Sequence, residues 1–169
     1  VDGCGAIQAD TGDLHIVNST FAGNEAVAGV GGAICDFQTT EIDFCTFAEN
    51  HADGGAGLFA GAIFGFGTTI NDSILVDNTG AGGGAQETCN DNGHAGGNNL
   101  QWPDGHTACT EDTAFADPLL GELGDNGGPT PTMAPAASDD IVQVGDDCPA
   151  TDQTGAARGE PCTLGAVEK

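Results

Sequence analysis

The chain has 169 residues and a mass of 16.7 kDa, which suits one domain. Only 2 Lys and Arg stand against 26 Asp and Glu, a formal charge of −24 at pH 7. That balance excludes phosphate-tracking nucleic-acid partners and disfavours anionic lipid surfaces, because both need clustered Lys and Arg.

The chain opens Val1-Asp2-Gly3-Cys4, which reads as a processed or trimmed start. A repeat follows at once. Gly5-Ala6-Ile7, Gly32-Ala33-Ile34 and Gly61-Ala62-Ile63 recur at spacings of 27 and 29. The segment from Ile16 to Asn24 aligns with that from Ile42 to Asn50 and again with that from Ile70 to Asn78. Three columns match: Ile16/Ile42/Ile70, Phe21/Phe47/Leu75 and Asn24/Asn50/Asn78. Each repeat is expected to hold two or three short strands separated by Gly, Asn and Asp turns. None can bury its apolar side alone, so the repeats must stack. Stacking at about 4.8 Å puts Ile on Ile and Phe on Phe. The Asn column is expected to form an inward ladder of side-chain amides. The Gly-Gly pairs are read as turns with positive φ. The predicted fold is all-β, a right-handed parallel β-helix. The first repeat starts at Cys4-Gly5-Ala6-Ile7 with no capping helix ahead of it. The expectation is a longer parent chain, or packing against another subunit.

The repeat fades after Gly82-Gly83-Gly84. Residues 1–84 are read as regular rungs. Residues 85–169 are read as irregular rungs plus a disulfide-pinned C-terminal cap, in one continuous domain. Extended segments such as Asp140-Ile141-Val142-Gln143-Val144 continue there. Seven cysteines occur without a Cys-x-x-Cys pair, and the four His are scattered, which argues against zinc and for an oxidising compartment. Cys89 with Cys109, and Cys148 with Cys162, each bracket a Gly/Asp/Pro-rich loop and are paired on that basis. Of Cys4, Cys35 and Cys45, one must stay free, buried or intermolecular. No run of 18 apolar residues predicts a membrane span.

The C-terminal half resembles the choice-of-anchor Q domain found at the end of secreted right-handed β-helix proteins. The segments that carry the resemblance are Gly96-Gly97-Asn98-Asn99-Leu100, Ala116-Asp117-Pro118-Leu119-Leu120-Gly121, Asp125-Asn126-Gly127-Gly128-Pro129-Thr130-Pro131-Thr132, Cys148-Pro149-Ala150-Thr151-Asp152-Gln153 and Gly165-Ala166-Val167-Glu168. The resemblance implies secretion and attachment to a cell surface. The family's usual Gly-Ser-Pro-Ala-Ile-Asp stretch is replaced by Ala134-Pro135-Ala136-Ala137-Ser138-Asp139, and its usual Arg after Asp-Gln is Thr154. The family has no agreed catalytic residues, so it implies none here.

Chemistry-bearing candidates are few. Uronate lyases need a strong base and cations, and only Arg158 and Lys169 are available. Carboxylates for glycoside hydrolysis are abundant (Asp36, Glu41, Asp43, Asp72, Asp77), and Glu41 and Asp43 share an outward face on either side of Ile42. A solvated acidic face explains them better, and no enzyme activity is assigned. Oxygen-rich loops at Asn90-Asp91-Asn92, Pro103-Asp104-Gly105, Asp125-Asn126, Asp139-Asp140 and Asp146-Asp147 suit Ca²⁺, although turn chemistry explains them equally well. Asn18-Ser19-Thr20 and Asn71-Asp72-Ser73 match the glycosylation sequon. His15 reads as an ordinary exposed strand residue. Thr39-Thr40 and Thr68-Thr69 are too few for an ice-binding array. The functional expectation is an extracellular structural protein of a cell surface or matrix, self-associating head to tail into a filament, with an unpaired cysteine such as Cys4 as a cross-link. The alternative is a carbohydrate-binding or carbohydrate-active module, with Trp102 and Phe66 as stacking groups for neutral glycans.

Acidic surfaces of this kind repel themselves. Raising NaCl from about 0.1 M to about 1 M shortens the Debye length from about 10 Å to about 3 Å. The unfolding temperature is therefore expected to rise with NaCl, and with Ca²⁺. A flat response in a thermal melt contradicts this.

Overall fold

The computed structural model describes residues 3–54, 59–80, 88–90, 94–136, 145 and 147–169. Short runs of alternating apolar and polar residues, each closed by a turn, coil into a solenoid. The first turn comprises β1 (Ile7–Ala9), β2 (Asp13–Val17), β3 (Thr20–Ala22) and β4 (Glu25–Val27). The second comprises β5 (Ile34–Asp36), β6 (Thr39–Asp43), β7 (Thr46–Ala48) and β8 (His51–Asp53). The third comprises β9 (Ile63–Gly65), β10 (Thr68–Asn71), β11 (Ile74–Val76) and β12 (Thr79–Gly80). Strands β13 (Ala95–Gly97), β14 (Asn99–Trp102) and β15 (Thr113–Phe115) extend it further.

Strands at the same place in successive turns pair in parallel and build four sheets. Their orders are β1-β5-β9, β2-β6-β10-β13, β3-β7-β11-β14-β15 and β4-β8-β12. The fold is a parallel β-helix, with no α-helix among the described residues. Each turn holds four strands rather than two or three. The extra one follows the Asn turn, where Glu25–Val27 and His51–Asp53 are themselves extended and pair with each other.

Period-two alternation sends one side chain in and the next out. The inward columns stack in the register that the repeat implies: Ile16 on Ile42 on Ile70, and Phe21 on Phe47 on Leu75. The Phe21 and Phe47 rings lie 4.8 Å apart and 3° from parallel, a face-to-face stack imposed by the strand spacing. Phe47 is wholly buried, which contributes about 1.5–3 kcal/mol by itself. Gly5 and Gly32 do not serve positive φ. A Cβ at Gly5 would sit on the Gly32 carbonyl oxygen, and one at Gly32 on that of Gly61. These glycines let successive turns approach at a tight corner.

The left-handed backbone positions lie elsewhere, in two columns. Asn18, Phe44, Asp72 and Asn98 form one, with φ of 49°, 50°, 49° and 57°. Gly23, Glu49 and Asp77 form the other. Each puts a sharp corner at the same height in every turn. Just inside the second corner, the Asn24 amide nitrogen donates to Asn50 Oδ1 and that of Asn50 to Asn78 Oδ1, both at 2.8 Å. Asn50 Nδ2 also reaches the Phe21 carbonyl, and Asn78 Nδ2 the Phe47 carbonyl. Just inside the first corner runs a shorter polar column that the repeat alignment did not flag. Ser73 Oγ accepts from the Cys45 N–H, Asn99 Oδ1 accepts from the Ser73 N–H, and Asn99 Nδ2 donates to Thr110 Oγ1.

Three disulfides pin the solenoid: Cys4–Cys35 across the first two turns, Cys89–Cys109, and Cys148–Cys162. Cys4 is therefore bonded within the chain. The free cysteine is Cys45, which is fully buried. Burial pushes its thiol up to about 12, so it stays protonated and inert, and a cross-link through an unpaired cysteine finds no exposed thiol among the described residues.

The C-terminal segment lies along the flank of the solenoid. It covers the outer face of the β3-β7-β11-β14 sheet, where Ile74, Val76 and Leu100 pack with Leu164, and Trp102, Ala116 and Leu120 close the margin. The Gly165 N–H donates to the Asp72 carbonyl and the Ala166 N–H to Thr46 Oγ1. Arg158 is the peg. Its guanidinium is buried 4.7 Å over the Phe44 ring. It donates to Glu168, to the Thr163 and Gly165 carbonyls, and to Asn18 Oδ1. The 84/85 boundary, Gly82-Gly83-Gly84 and the Asp140–Val144 stretch lie outside the described residues.

Removing Asn50 breaks the ladder at its centre. Asn50→Ala takes the side-chain partner from the half-buried Asn24 N–H groups and from the Phe21 carbonyl, while Asn78 Oδ1 keeps the Asn50 N–H, and each group left unsatisfied costs about 1–3 kcal/mol. Denaturant unfolding is expected to show a midpoint well below that of an exposed control, Glu122→Gln. The cover has a pH signature. Burial would raise the Asp152 carboxyl, but the Glu168 N–H, the Thr154 hydroxyl and the N–H groups of Ala156 and Thr154 hold it below the ordinary aspartate value. A carboxyl depressed in the folded state stabilises above its unfolded pKa, and that contribution is lost as pH falls through the folded value. Wild type is expected to exceed Asp152→Asn in melting temperature at neutral pH. The gap should close below about pH 4, as read by thermal melts at stepped pH.

Candidate acidic cleft

The solenoid displays a flat outer face on the β2-β6-β10-β13 sheet. Because Ile16, Ile42 and Ile70 point inward, their neighbours point out. His15 stands beside Glu41, and Val17, Asp43, Asn71 and Gly97 form the next column. A loop of the C-terminal cover, with Asp147 and Pro149, rises against this face. Between them lies a cleft of about 770 Å³. Among the described residues five carboxylates line it (Glu41, Asp43, Asp72, Asp112 and Asp147), and none of its described lining residues is Lys or Arg. The final step in the outward column is Gly97. Asp112 packs beside it, with its Cβ 3.4 Å from where a Cβ at Gly97 would stand.

His15 is the basic group of the cleft. Its Nε2 lies 2.6 Å from Asp43 Oδ2 and 4.0 Å from Glu41 Oε2. One ligand atom from each of these three side chains falls within 4.8 Å of the other two. Asp43 is held on its far side, because Asn71 Nδ2 donates to Asp43 Oδ1 at 2.9 Å and the Gly97 N–H donates to Asn71 Oδ1 at 3.3 Å. His15 and Glu41 are half exposed, whereas the Asp43 side chain is 20% exposed. The arrangement presents a braced carboxylate, a half-exposed carboxylate and an imidazole to open solvent.

The other candidates scatter. Of the five carboxylates named from sequence, Glu41 and Asp43, the pair expected on one outward face, line the cleft together with Asp72. Asp36 is buried, accepting from the Gln38 N–H and the Thr68 hydroxyl, and Asp77 occupies the distant second corner. Trp102 and Phe66 belong to separate clusters, and Phe66 is exposed. Trp102 packs under the C-terminal cover and Phe66 edges onto Phe64 at 5.3 Å. Asn18 and Asn71 do not present free sequon amides, since Asn18 Nδ2 donates to the Thr151 carbonyl and Asn71 Nδ2 to Asp43. Thr40 and Thr68 point inward rather than onto a Thr face. Arg158 is sealed in the cover, so it cannot serve as a lyase base. At the oxygen-rich loops, Asp125 caps the Gly127 N–H and Asn126 donates to Thr132, which is turn chemistry. Asn90 accepts from the Gly65 N–H, while Asp91, Asn92, Asp139, Asp140 and Asp146 lie outside the described residues.

The element missed from sequence is His15. The signal was present in the repeat, because aligning Ile16 with Ile42 places His15 directly beside Glu41. No family model, curated protein or solved structure matches the chain.

Proposed function

We propose that this chain is an extracellular structural module of a cell surface or matrix, and that it self-associates end to end. The observation that carries this reading is where the buried polar chemistry goes. It is invested in rigidity: three disulfides, two inward polar columns and a pegged lateral cover. A rod so braced resists unfolding and proteolysis outside a cell, where disulfides persist. The motif order that resembles a choice-of-anchor Q domain supports the surface location. No helix among the described residues is long and apolar enough to cross a membrane.

Self-association has a physical basis in the first turn. Among the described residues strands β1 to β4 are each paired along one edge, and Ile7, Leu14 and Phe21 are half-buried where Ile34 and Phe47 are wholly buried. An edge of this kind accepts another turn of the same register, and such a heterologous contact propagates into a filament. Electron microscopy of the purified protein, in high salt with and without reductant, tests this. Filaments with an axial repeat of a few nanometres are expected. They should survive mild reductant, since the disulfides are intramolecular. Dispersed single particles overturn the self-assembly and direct the same preparation to arrays of neutral glycans.

A further inference from the structure

We propose that the cleft holds one divalent transition-metal ion, ligated by His15 Nε2, one carboxylate oxygen of Asp43 and one of Glu41. Strand geometry brings these donors together without any loop. Glu41 and Asp43 are two residues apart on β6 and face the same way. His15 is the β2 residue in register with Glu41. The three donor atoms are already within 4.8 Å of one another, so a small rotation of the half-exposed His15 and Glu41 side chains opens space for an ion between them.

Two further features separate this from a surface ion pair. Asp43 is oriented from behind by Asn71, which is itself held by the Gly97 backbone, and this outer hydrogen-bond chain is the support that metal-ligating carboxylates usually have. No Lys or Arg lines the cleft, and the whole chain carries −24. The local field therefore concentrates cations. Imidazole with two carboxylates selects Zn²⁺, Co²⁺, Mn²⁺ or Ni²⁺ over Ca²⁺ and Mg²⁺, which prefer all-oxygen shells. Three protein donors beside an open cleft leave coordination positions to water or to an added ligand. This inference does not depend on the structural role proposed above.

The test is Co²⁺ titration of the chelator-treated full chain, followed by visible absorption and calorimetry. A buffer with about 0.15 M NaCl and excess Ca²⁺ masks unspecific carboxylate binding. One Co²⁺ per chain is expected, displaceable by Zn²⁺. His15→Ala and Asp43→Asn are each expected to weaken it at least about tenfold, and Asn71→Ala to weaken it about tenfold through loss of orientation. Glu122→Gln, far from the cleft in sequence and exposed, should leave it unchanged. Cu²⁺ electron paramagnetic resonance should show coupling to one imidazole nitrogen that His15→Ala removes. No saturable binding, binding that Ca²⁺ abolishes, or equal affinity in wild type and His15→Ala would each overturn the proposal. His15 is half exposed, so its variant is expected to melt like wild type, and the test stands even where Asp43→Asn folds poorly.

Discussion

The constraint on which everything else rests is that each turn of the solenoid must close at the same lateral positions as the turn beneath it. Parallel strands pair only at a fixed spacing of about 4.8 Å, so any corner that drifts would pull the next strand out of register. Two columns of left-handed residues, Asn18/Phe44/Asp72/Asn98 and Gly23/Glu49/Asp77, make the corners identical in geometry though not in sequence. Side chains inside those corners then bond vertically. Asn24, Asn50 and Asn78 do this in one corner, and Ser73, Asn99 and Thr110 do it in the other. The ladders satisfy buried donors and acceptors that would otherwise oppose folding, and they penalise a slip of even one residue.

Once the corners are aligned, the four sheets have different fates. The β3-β7-β11-β14 sheet has Phe21, Phe47 and Leu75 inward, and its β11 and β14 strands are apolar outward as well, through Ile74, Val76 and Leu100. It has to be covered, and the C-terminal segment covers it. The β2-β6-β10-β13 sheet is apolar only inward and stays open to water, with its charged groups outside. Arg158 links the two regions. It is seated over Phe44, a cleft residue, and bonds to Asn18 at the head of the same corner column. The single buried arginine of a strongly acidic chain thus fixes the cover, and the cover's Asp147 and Pro149 form the far wall of the cleft. The structural brace and the acidic cleft therefore share Phe44.

The cleft is therefore a product of stacking more than of any single motif. On one strand, Glu41 and Asp43 are an unremarkable pair of outward acids. Beside β2 they acquire an imidazole, and beside β10 and β13 they acquire an amide brace and a gap at Gly97. Residues 28 apart in sequence, such as His15 and Asp43, become neighbours at 2.6 Å. Solenoids assemble sites in this way because their outward columns are read across turns.

What the sequence by itself determined follows from periodicity. The Ile and Phe columns, the Asn ladder and the parallel coiling were legible because identical residues at equal spacing can be satisfied together only by stacking. The neighbour of His15 was legible in the same alignment once Ile16 is set on Ile42. Other features depend on contacts between segments that share no pattern. The fourth strand of each turn has no apolar alternation long enough to mark it. The second polar column mixes Ser73, Asn99 and Thr110, so no repeated letter betrays it. The partner of Cys4, the burial of Asp36 and the engagement of Asn18 by Thr151 and Arg158 depend on where the C-terminal segment and the tight corners come to rest. Tertiary structure alone decided that β13 to β15 continue the coil and that the segment after them lies along the flank. Only the outward apolar face of β11 and β14, created by stacking, could draw it there.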